Sequence, residues 1–239
     1  MKDMIGDDTG DNISEKNPFY SEMTAQYWAW KNFHESEYIG FCHYRRYFYE
    51  KITDENIDNY FSDGTDVLMT GPEFRRYNMW NFLQIYVGSE DLAIMQKVIL
   101  KLYPEYYKTL SRHGHDFVEY PYNMFVCKRD LFERYARWVF PILFECEKYV
   151  KLSPYSRARR VYGYMAEFLM PVYFIHNNFQ IKTLHFYHTN PENKCGGMSF
   201  HHKIMRYVLK NFIYFRDSKN SLDIDLSVEM GLKNDNIQI

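Results

Sequence analysis

The sequence predicts an α/β sandwich, in which a central sheet is covered by helices on both faces. Short apolar runs, each suited to a buried strand, alternate along the chain with longer segments whose apolar residues recur at helical spacing. The predicted strands are residues 38–42, 67–70, 123–127 and 181–186. With 239 residues, the chain is long enough for one large or two small domains with a substantial core.

The composition argues against several classes of protein. A formal net charge of −2 gives no reason to expect nucleic-acid binding. The four cysteines show no C-x-x-C spacing, which argues against structural zinc and suits a reducing compartment. The first eleven residues contain no apolar leader, and the longest apolar stretches are interrupted by proline and too short to span a bilayer. We therefore expect a cytoplasmic protein.

Aromatic residues make up 19 % of the chain. Tyrosines in such numbers either pack a core with a wet rim or line a pocket that stacks sugars and bases. The count is compatible with both.

The first segment, residues 7–17, is polar and is predicted to be a loop. Asp8 and Asp11 can ligate a hard cation through oxygen, although an ordinary turn has the same residues. Asn17 and Pro18 then predict the start of one helix that ends near Phe33. Its apolar stripe is Phe19, Met23, Tyr27 and Trp30, and Glu22 lies off that stripe.

The strand predicted at 38–42 runs directly into a cluster of polar side chains. These are His43, Tyr44, Arg45 and Arg46. In α/β proteins ligands collect beyond the carboxyl ends of strands, and two arginines can clamp a diphosphate through their fork-shaped donors. The alternative is that both arginines lie on a solvated edge. If the chain stays extended, Arg45 shares the side of His43 and faces the pocket while Arg46 braces the loop.

Three further helices follow. One is capped by Ser89 and ended by Pro104, one runs from about 130 to 150 with a kink at Pro141, and one opens at Pro154 and carries Glu167. Between them, His113 and His115 flank a glycine and can contribute to a metal site, but no third ligand is near in sequence.

The C-terminal part has a different pattern. Residues 200–219 form a basic amphipathic helix, with five positive charges against one negative between Lys203 and Lys219. Such a helix either lies on an anionic membrane surface or packs on the domain with a solvated basic face. Residues 220–239 lack aromatics and are predicted to be a flexible tail. Residues 1–199 then form the α/β domain.

Several segments carry a resemblance to a known family. They are Asp8-Thr-Gly-Asp-Asn-Ile-Ser-Glu-Lys-Asn-Pro18, Glu22-Met-Thr24, Tyr27-Trp-Ala-Trp-Lys-Asn32, Tyr38-Ile-Gly-Phe-Cys-His-Tyr-Arg-Arg-Tyr-Phe48, Tyr120-Pro-Tyr-Asn-Met-Phe125, Trp138-Val-Phe-Pro-Ile-Leu-Phe-Glu145 and Arg160-Val-Tyr-Gly-Tyr-Met-Ala-Glu167. Together they resemble a family of uncharacterised domains encoded in bacterial capsule, exopolysaccharide and lipopolysaccharide gene clusters. Its members are regarded as glycosyltransferases of the GT-A-like nucleotide-diphospho-sugar superfamily.

The resemblance implies a three-layer sandwich with a mostly parallel central sheet. Two departures are visible. Members of the family begin with a strand and several tens of residues ahead of the Asp8 block, so the domain is expected to be shortened at its N-terminus. The Asp-x-Asp metal motif of the wider superfamily is replaced by His43-Tyr44-Arg45. A divalent metal is therefore compatible with the family, but no motif for one is found.

The resemblance also implies roles for individual residues. Arg45 and Arg46, with His43 as a third donor, are expected to stabilise a departing diphosphate. Glu167 is the candidate carboxylate that takes a proton from the acceptor hydroxyl; a surface glutamate on a helix would look the same. The remaining candidates are donor-binding residues Asp8, Thr9, Gly10, Asp11, Asn12 and Tyr44, and acceptor-binding residues Tyr122 and Asn123.

The implied function is transfer of a hexosyl unit from a nucleotide-diphosphate sugar to a growing capsular, exopolysaccharide or lipopolysaccharide chain. The acceptor would be a glycan or a lipid-linked glycan, and the enzyme would be cytoplasmic or peripheral on the inner face of the plasma membrane. The alternative is a catalytically impaired module of the same pathway that binds sugar or a partner. A membrane adaptor acting through the basic helix is a third hypothesis.

Overall fold

The fold is described from a computed structural model of residues 5–189, 192, 194–217 and 224–239, with 210–217 by backbone only. The helices are α1 (Asn17–Tyr20), α2 (Met23–Asn32), α3 (Ile57–Phe61), α4 (Met79–Leu83), α5 (Ser89–Leu102), α6 (Tyr107–Gly114), α7 (Arg129–Glu147), α8 (Val161–His176), α9 (Phe200–Asp217) and α10 (Leu226–Asn234). The strands are β1 (Tyr38–Phe41), β2 (Arg46–Phe48), β3 (Val67–Thr70), β4 (Glu73–Phe74), β5 (Val118–Glu119), β6 (Phe125–Lys128), β7 (Ile181–Leu184), β8 (Phe186–His188) and β9 (Lys194–Cys195). The α/β class predicted from the sequence is confirmed.

The central sheet contains all four predicted strands, in the order β1-β6-β3-β7. Strand β6 runs antiparallel to both of its neighbours, and only β3 and β7 are parallel. The sheet is therefore mixed, and the expectation of a mostly parallel sheet is wrong. Four-residue strands carry no record of their direction, which is set by the connections between them.

Strand β1 lies at the edge of this sheet among the described residues. Ile39 is buried, while Gly40 and Cys42 are exposed. The expectation that 38–42 is a fully buried strand is therefore wrong. Its apolar run gains burial on one face only, through Ile39 and Phe41 packed on the helical layer.

The two faces of the sheet are covered differently. Val67, Met69, Phe125 and Cys127 point into the main core, which is built largely from helices α2, α5, α7 and α8. Leu68 and the other alternate residues point into a smaller cluster, formed with Phe48 and Phe186 of a second sheet, β2-β8-β9, and with residues of α3. The predicted layer of helices on this face is thus mainly a small sheet.

The helix predicted from Asn17 to Phe33 is two helices. Helix α1 ends at Tyr20, Ser21 has a φ of 52° and a ψ of −133°, and α2 begins at Met23. The apolar stripe continues across this break, because Tyr20, Met23 and Tyr27 all reach the core. Periodicity alone therefore could not reveal it.

The C-terminal part confirms the predicted helix at 200–217 and differs from the prediction after it. The tail predicted at 220–239 contains α10, which packs on α5 through Leu232 and through an ion pair between Lys97 and Glu229 of 3.0 Å. Residues 218–223, which include Lys219, lie outside the described part. No helix within the described ranges is long and apolar enough to cross a membrane.

Candidate functional site

A cavity of about 260 Å³ lies where the turn after β1, the α1–α2 break, the β5–β6 turn and the start of α8 meet. One part of its wall is apolar and aromatic, formed by Met79, Phe82, Leu83, Tyr86, Tyr164 and Phe168. The charged and titratable part of its wall consists of Glu22, His43, Arg45, Arg46, Arg75, His113, Glu119, Arg160 and Glu167. The structure thus brings five of the predicted residues to one cavity: His43, Arg45, Arg46, Tyr122 and Glu167.

Both predicted arginines face the cavity because the chain turns at this point. The backbone N–H of Arg46 donates to the carbonyl of His43 at 3.0 Å, which closes a tight turn. The expectation that adjacent arginines would point to opposite sides assumed an extended chain and is wrong.

Arg46 is held firmly within the site. Its guanidinium lies 4.0 Å from the ring centroid of Tyr122 and donates to His188 at 3.3 Å and to the ring of His43 at 3.0 Å. Burial, followed by the charges of Arg46 and Arg45, lowers the pKa of His43 to about 4. His43 is therefore neutral at neutral pH, so as a third donor it would offer a ring N–H and no positive charge.

Arg45 and Arg160 are held far less tightly than Arg46. Arg45 is exposed and lies 4.6 Å from the ring centroid of Tyr44. Among the described residues, neither guanidinium has a hydrogen-bond or ion-pair partner within the protein. Both are therefore free to bind an anion. Two forks without carboxylate partners at the wall of a cavity suit a phosphate group.

A second group of charges in the cavity is internally balanced. Arg75 is ion-paired with Glu119 and lies 2.6 Å from Glu73. Glu119 in turn is hydrogen-bonded to Glu167. Arg75 is therefore not available to a ligand in the way that Arg45 and Arg160 are.

Glu167 differs from an ordinary surface glutamate on a helix. Burial and the neighbouring Glu119 carboxylate raise its pKa well above the ordinary value, and a hydrogen bond from the backbone N–H of Tyr122 only partly opposes this. Burial also raises the pKa of Glu119, against the opposing charge of Arg75, and the pKa of Glu167 has no such arginine ion pair to lower it, so the proton that the two carboxyl groups share resides on Glu167. Glu167 is thus a buried acid that can donate a hydrogen bond at neutral pH.

Glu22, which sequence reasoning placed on the outside of a helix, also lines the cavity. The side-chain amide of Asn123 donates to its Oε1 at 2.7 Å. Asn123 itself is 1 % exposed and lies behind Glu22, so it does not contact a ligand directly as the acceptor-binding role would require. Tyr122, the other predicted acceptor-binding residue, does form part of the wall.

The backbone around the cavity is strained. Ser21, Tyr122 and Asn123 have φ values of 52°, 82° and 50°. L-residues adopt such conformations at a cost, and they persist where the surrounding structure holds them, often at functional sites. Two of the cavity's four walls, the α1–α2 break and the β5–β6 turn, are fixed in this way.

The loop of Asp8 to Asn12 lies away from the cavity wall. It docks on the outer face of α2, where Trp28 donates to the Thr9 carbonyl at 2.9 Å and Tyr27 donates to Asp11 at 3.1 Å. Asn32 closes it by donating to the Asp11 carbonyl at 2.8 Å. The structure does not bring Asp8, Thr9, Gly10, Asp11 and Asn12 together with the arginines, and Tyr44 also stays off the wall with 68 % of its surface exposed.

Sequence reasoning missed four charged residues of the cavity, which are Glu22, Arg75, Glu119 and Arg160. Arg160 and Glu22 both belong to segments that carry the family resemblance, Arg160–Glu167 and Glu22–Thr24. Membership of such blocks was the available signal. Arg75 and Glu119 reach the site from the short strand pair β4–β5, which is too brief to be seen as a pattern.

Within the described ranges, no three His, Cys, Asp or Glu side chains are arranged to hold a metal ion. Asp8 and Asp11, for which the sequence allows both a cation site and an ordinary turn, belong to no such group, and neither do His113 and His115. Asp11 instead accepts from Tyr27 and lies 3.8 Å from Lys31.

Fold and site together define an α/β protein with a half-open cavity in which free arginines face buried carboxyl groups. A family described as a domain of unknown function, DUF4422, matches residues 1–178. The chain therefore belongs to the DUF4422 family. No curated protein matches the chain.

A solved structure of WbbM, a bifunctional glycosyltransferase in its apo form, is similar to this chain. The sequence identity is 30 %, the TM-score is 0.67, and the match covers 81 % of this chain. The chain spans 40 % of the length of that structure. The likeness supports a glycosyltransferase-like α/β fold, and the activity of the whole of WbbM is not transferred with it.

Proposed function

We propose that this protein transfers a sugar from a nucleotide-diphosphate donor to a growing capsular, exopolysaccharide or lipopolysaccharide chain. One observation supports this above the others: Arg45, Arg46 and Arg160 line a cavity that also holds three carboxyl groups, the buried Glu119 and the half-buried Glu22 and Glu167. The similarity to a glycosyltransferase supports the same class of reaction.

The arginines are proposed to bind the diphosphate. In glycosyl transfer the departing diphosphate gains negative charge, and fixed cationic donors in a site that excludes water stabilise that charge. None of the three arginines forms an ion pair with a carboxylate of the described residues, so their charge is uncompensated. Arg46 is pre-oriented by Tyr122 and by His43 and His188, and it would bind with little loss of side-chain freedom.

Glu167 is proposed to act at the sugar. At neutral pH it holds a proton, so in the resting site it donates a hydrogen bond, and it is shielded by the aromatic side chains of the cavity. Tyr122, which stacks on Arg46 and forms part of the wall, is proposed to contact the acceptor.

Helix α9 supports peripheral association with an anionic membrane. Phe200, Ile204, Tyr207 and Val208 form one stripe on the helix, and each is between 49 % and 79 % exposed. The opposite side of the helix is anchored, since Arg206 donates to Asp116 at 2.9 Å and His202 stacks on Phe74. An exposed apolar stripe on a basic helix suits the boundary of an anionic bilayer, where a lipid-linked acceptor would reside.

Two assays on the same protein test the proposal. The first is thermal stability in the presence of UDP-, GDP-, dTDP- and CMP-linked sugars, and the second is release of the free nucleotide. A ligand present at 100 times its dissociation constant should stabilise the protein by about 2.7 kcal/mol. Stabilisation together with nucleotide release supports the transferase. Stabilisation without release indicates the alternative, an impaired sugar-binding module. If no nucleotide sugar stabilises the protein and no nucleotide is released, both hypotheses are contradicted.

A further inference from the structure

The break between α1 and α2 aims one carboxylate into the cavity. Ser21 has a φ of 52°, and its carbonyl accepts hydrogen bonds from the side chains of Asn17 at 3.0 Å and Thr24 at 3.1 Å. Gly163 of α8 packs directly against it, so closely that a Cβ at that glycine would lie 3.1 Å from Ser21 Oγ. The strained turn is thus held from both sides, and the residue after it, Glu22, faces the cavity.

Asn123 fixes the carboxylate of Glu22 in one orientation. Its Nδ2 donates to Glu22 Oε1 at 2.7 Å and to the carbonyl of Gly163 at 3.2 Å. Both partners are oxygen atoms that accept hydrogen bonds, so the amide atom that faces them must be the nitrogen, Nδ2, and not the oxygen. Gln26 then donates to the Asn123 carbonyl at 3.2 Å. A side chain locked by packing and by hydrogen bonds from behind is what a proton-transfer group requires.

We propose that Glu22 is the carboxylate that takes the proton of the attacking hydroxyl group. The inference rests on the proposed glycosyl transfer and assigns a residue that the sequence did not nominate. The acceptor oxygen bonds to the anomeric carbon of the donor sugar, while the bond from that carbon to the diphosphate oxygen breaks. The leaving diphosphate takes the bonding electron pair towards Arg45, Arg46 and Arg160, and the acceptor proton passes to Glu22.

Geometry separates Glu22 from the other two carboxyl groups. Glu119 is occupied by Arg75, and Glu167 is hydrogen-bonded to Glu119. Glu22 is hydrogen-bonded to a neutral amide and lies in the field of Arg46 and Arg160. Of the three carboxyl groups, Glu22 is thus the one that is bonded neither to an arginine nor to another carboxyl group of the described residues.

The ionisation behaviour agrees with this assignment. Burial raises the pKa of Glu22, while Asn123, Arg46 and Arg160 oppose the rise. The pKa of Glu167 is raised well above the ordinary value by burial and by Glu119. The pKa values of both groups are raised, that of Glu167 to well above the ordinary value, and the groups that oppose the rise at Glu22 favour Glu22 as the base and Glu167 as the hydrogen-bond donor.

The test compares Glu22→Gln, Glu22→Asp and a matched control, Glu35→Gln, which changes an exposed glutamate on the loop before β1. Gln keeps the shape of Glu22 and can still accept from Asn123, so folding should be retained. The probes are the nucleotide sugars that stabilise the wild type, with water as acceptor, and the measurements are nucleotide release from pH 5 to 9 and thermal stabilisation by the same probes.

Glu22→Gln should lower nucleotide release about 100-fold or more, the usual effect of losing a general base, while stabilisation by the donor stays within about threefold in apparent affinity. Glu22→Asp should keep a slower reaction with a shifted acidic limb of its pH profile, and Glu35→Gln should match the wild type. Release by Glu22→Gln within about threefold of the wild type overturns the assignment while leaving the transferase proposal intact. If the wild type neither binds nor cleaves any probe, the proposed function fails and this assignment falls with it.

Discussion

Replacing Arg45 with Lys separates a donor-binding role from a structural one. The change keeps the positive charge and removes the planar fork of donors. We expect the affinity for the nucleotide-sugar donor to fall while the stability of the protein is retained. The reason lies in the surroundings of Arg45: its side chain is exposed and contacts the ring of Tyr44 without any ion pair.

The size of each effect follows from those contacts. An exposed cation–π contact contributes about 0.5–1 kcal/mol, and Lys can retain part of it, so the free energy of unfolding should change by less than about 1 kcal/mol. A hydrogen bond between charged groups contributes about 1.5–3 kcal/mol, so loss of one bond to a phosphate oxygen should weaken donor binding roughly 10- to 150-fold.

The assay is isothermal titration of the best-stabilising donor, together with urea denaturation of the same preparation. Arg137→Lys is the control, because its side chain is 70 % exposed on α7 and does not line the cavity. Donor affinity within about twofold of the wild type, or a loss of stability with normal affinity of the folded fraction, would refute the role given to Arg45.

Three other expectations can be checked with standard methods. Gly163→Ala places a methyl group against Ser21, so urea denaturation should show a loss of about 1–3 kcal/mol and nucleotide release should fall with it. Burial and Glu119 raise the pKa of Glu167, so the folded protein binds more protons than the unfolded chain. The free energy of unfolding should therefore fall as pH rises above the ordinary glutamate range. Glu167→Gln should remove this pH dependence, and its gain in stability over the wild type should be larger at pH 7 than at pH 5. The double change Phe200→Ser and Tyr207→Ser should lower sedimentation with anionic vesicles at least tenfold, with no change for neutral vesicles or for thermal stability, since both side chains are exposed.

The local sequence pattern determined the elements whose apolar residues repeat at a fixed spacing. Strands β3 and β7, the long helix α7 and the basic helix α9 all lie where periodicity placed them. The spacing of apolar residues shows whether one face or both faces of a strand or helix are buried, and it can be recognised from residues close together in the chain. The sequence also marked the polar cluster after β1 as a candidate site, because ligands collect beyond the carboxyl ends of strands, although a solvated edge would have the same residues.

Tertiary packing decided what periodicity cannot encode. Strand β6 runs antiparallel and β1 lies at the edge because of how the connections travel, and strand composition is the same in either direction. The turn at 43–46 brought both Arg45 and Arg46 to the cavity, where an extended chain would have separated them.

The clearest example is Glu22. The residues around Glu22 fit the pattern of one continuous helix, in which the Glu22 side chain would point to solvent. The contact of Gly163 with Ser21 and the hydrogen bond from Asn123 to Glu22 hold the break and the carboxylate in place, and both partners are more than 100 residues away in the chain. The sequence alone could therefore point to Arg45 and Arg46, while Arg75, Arg160 and the position of the Glu22 carboxylate depend on contacts that exist only in the folded protein.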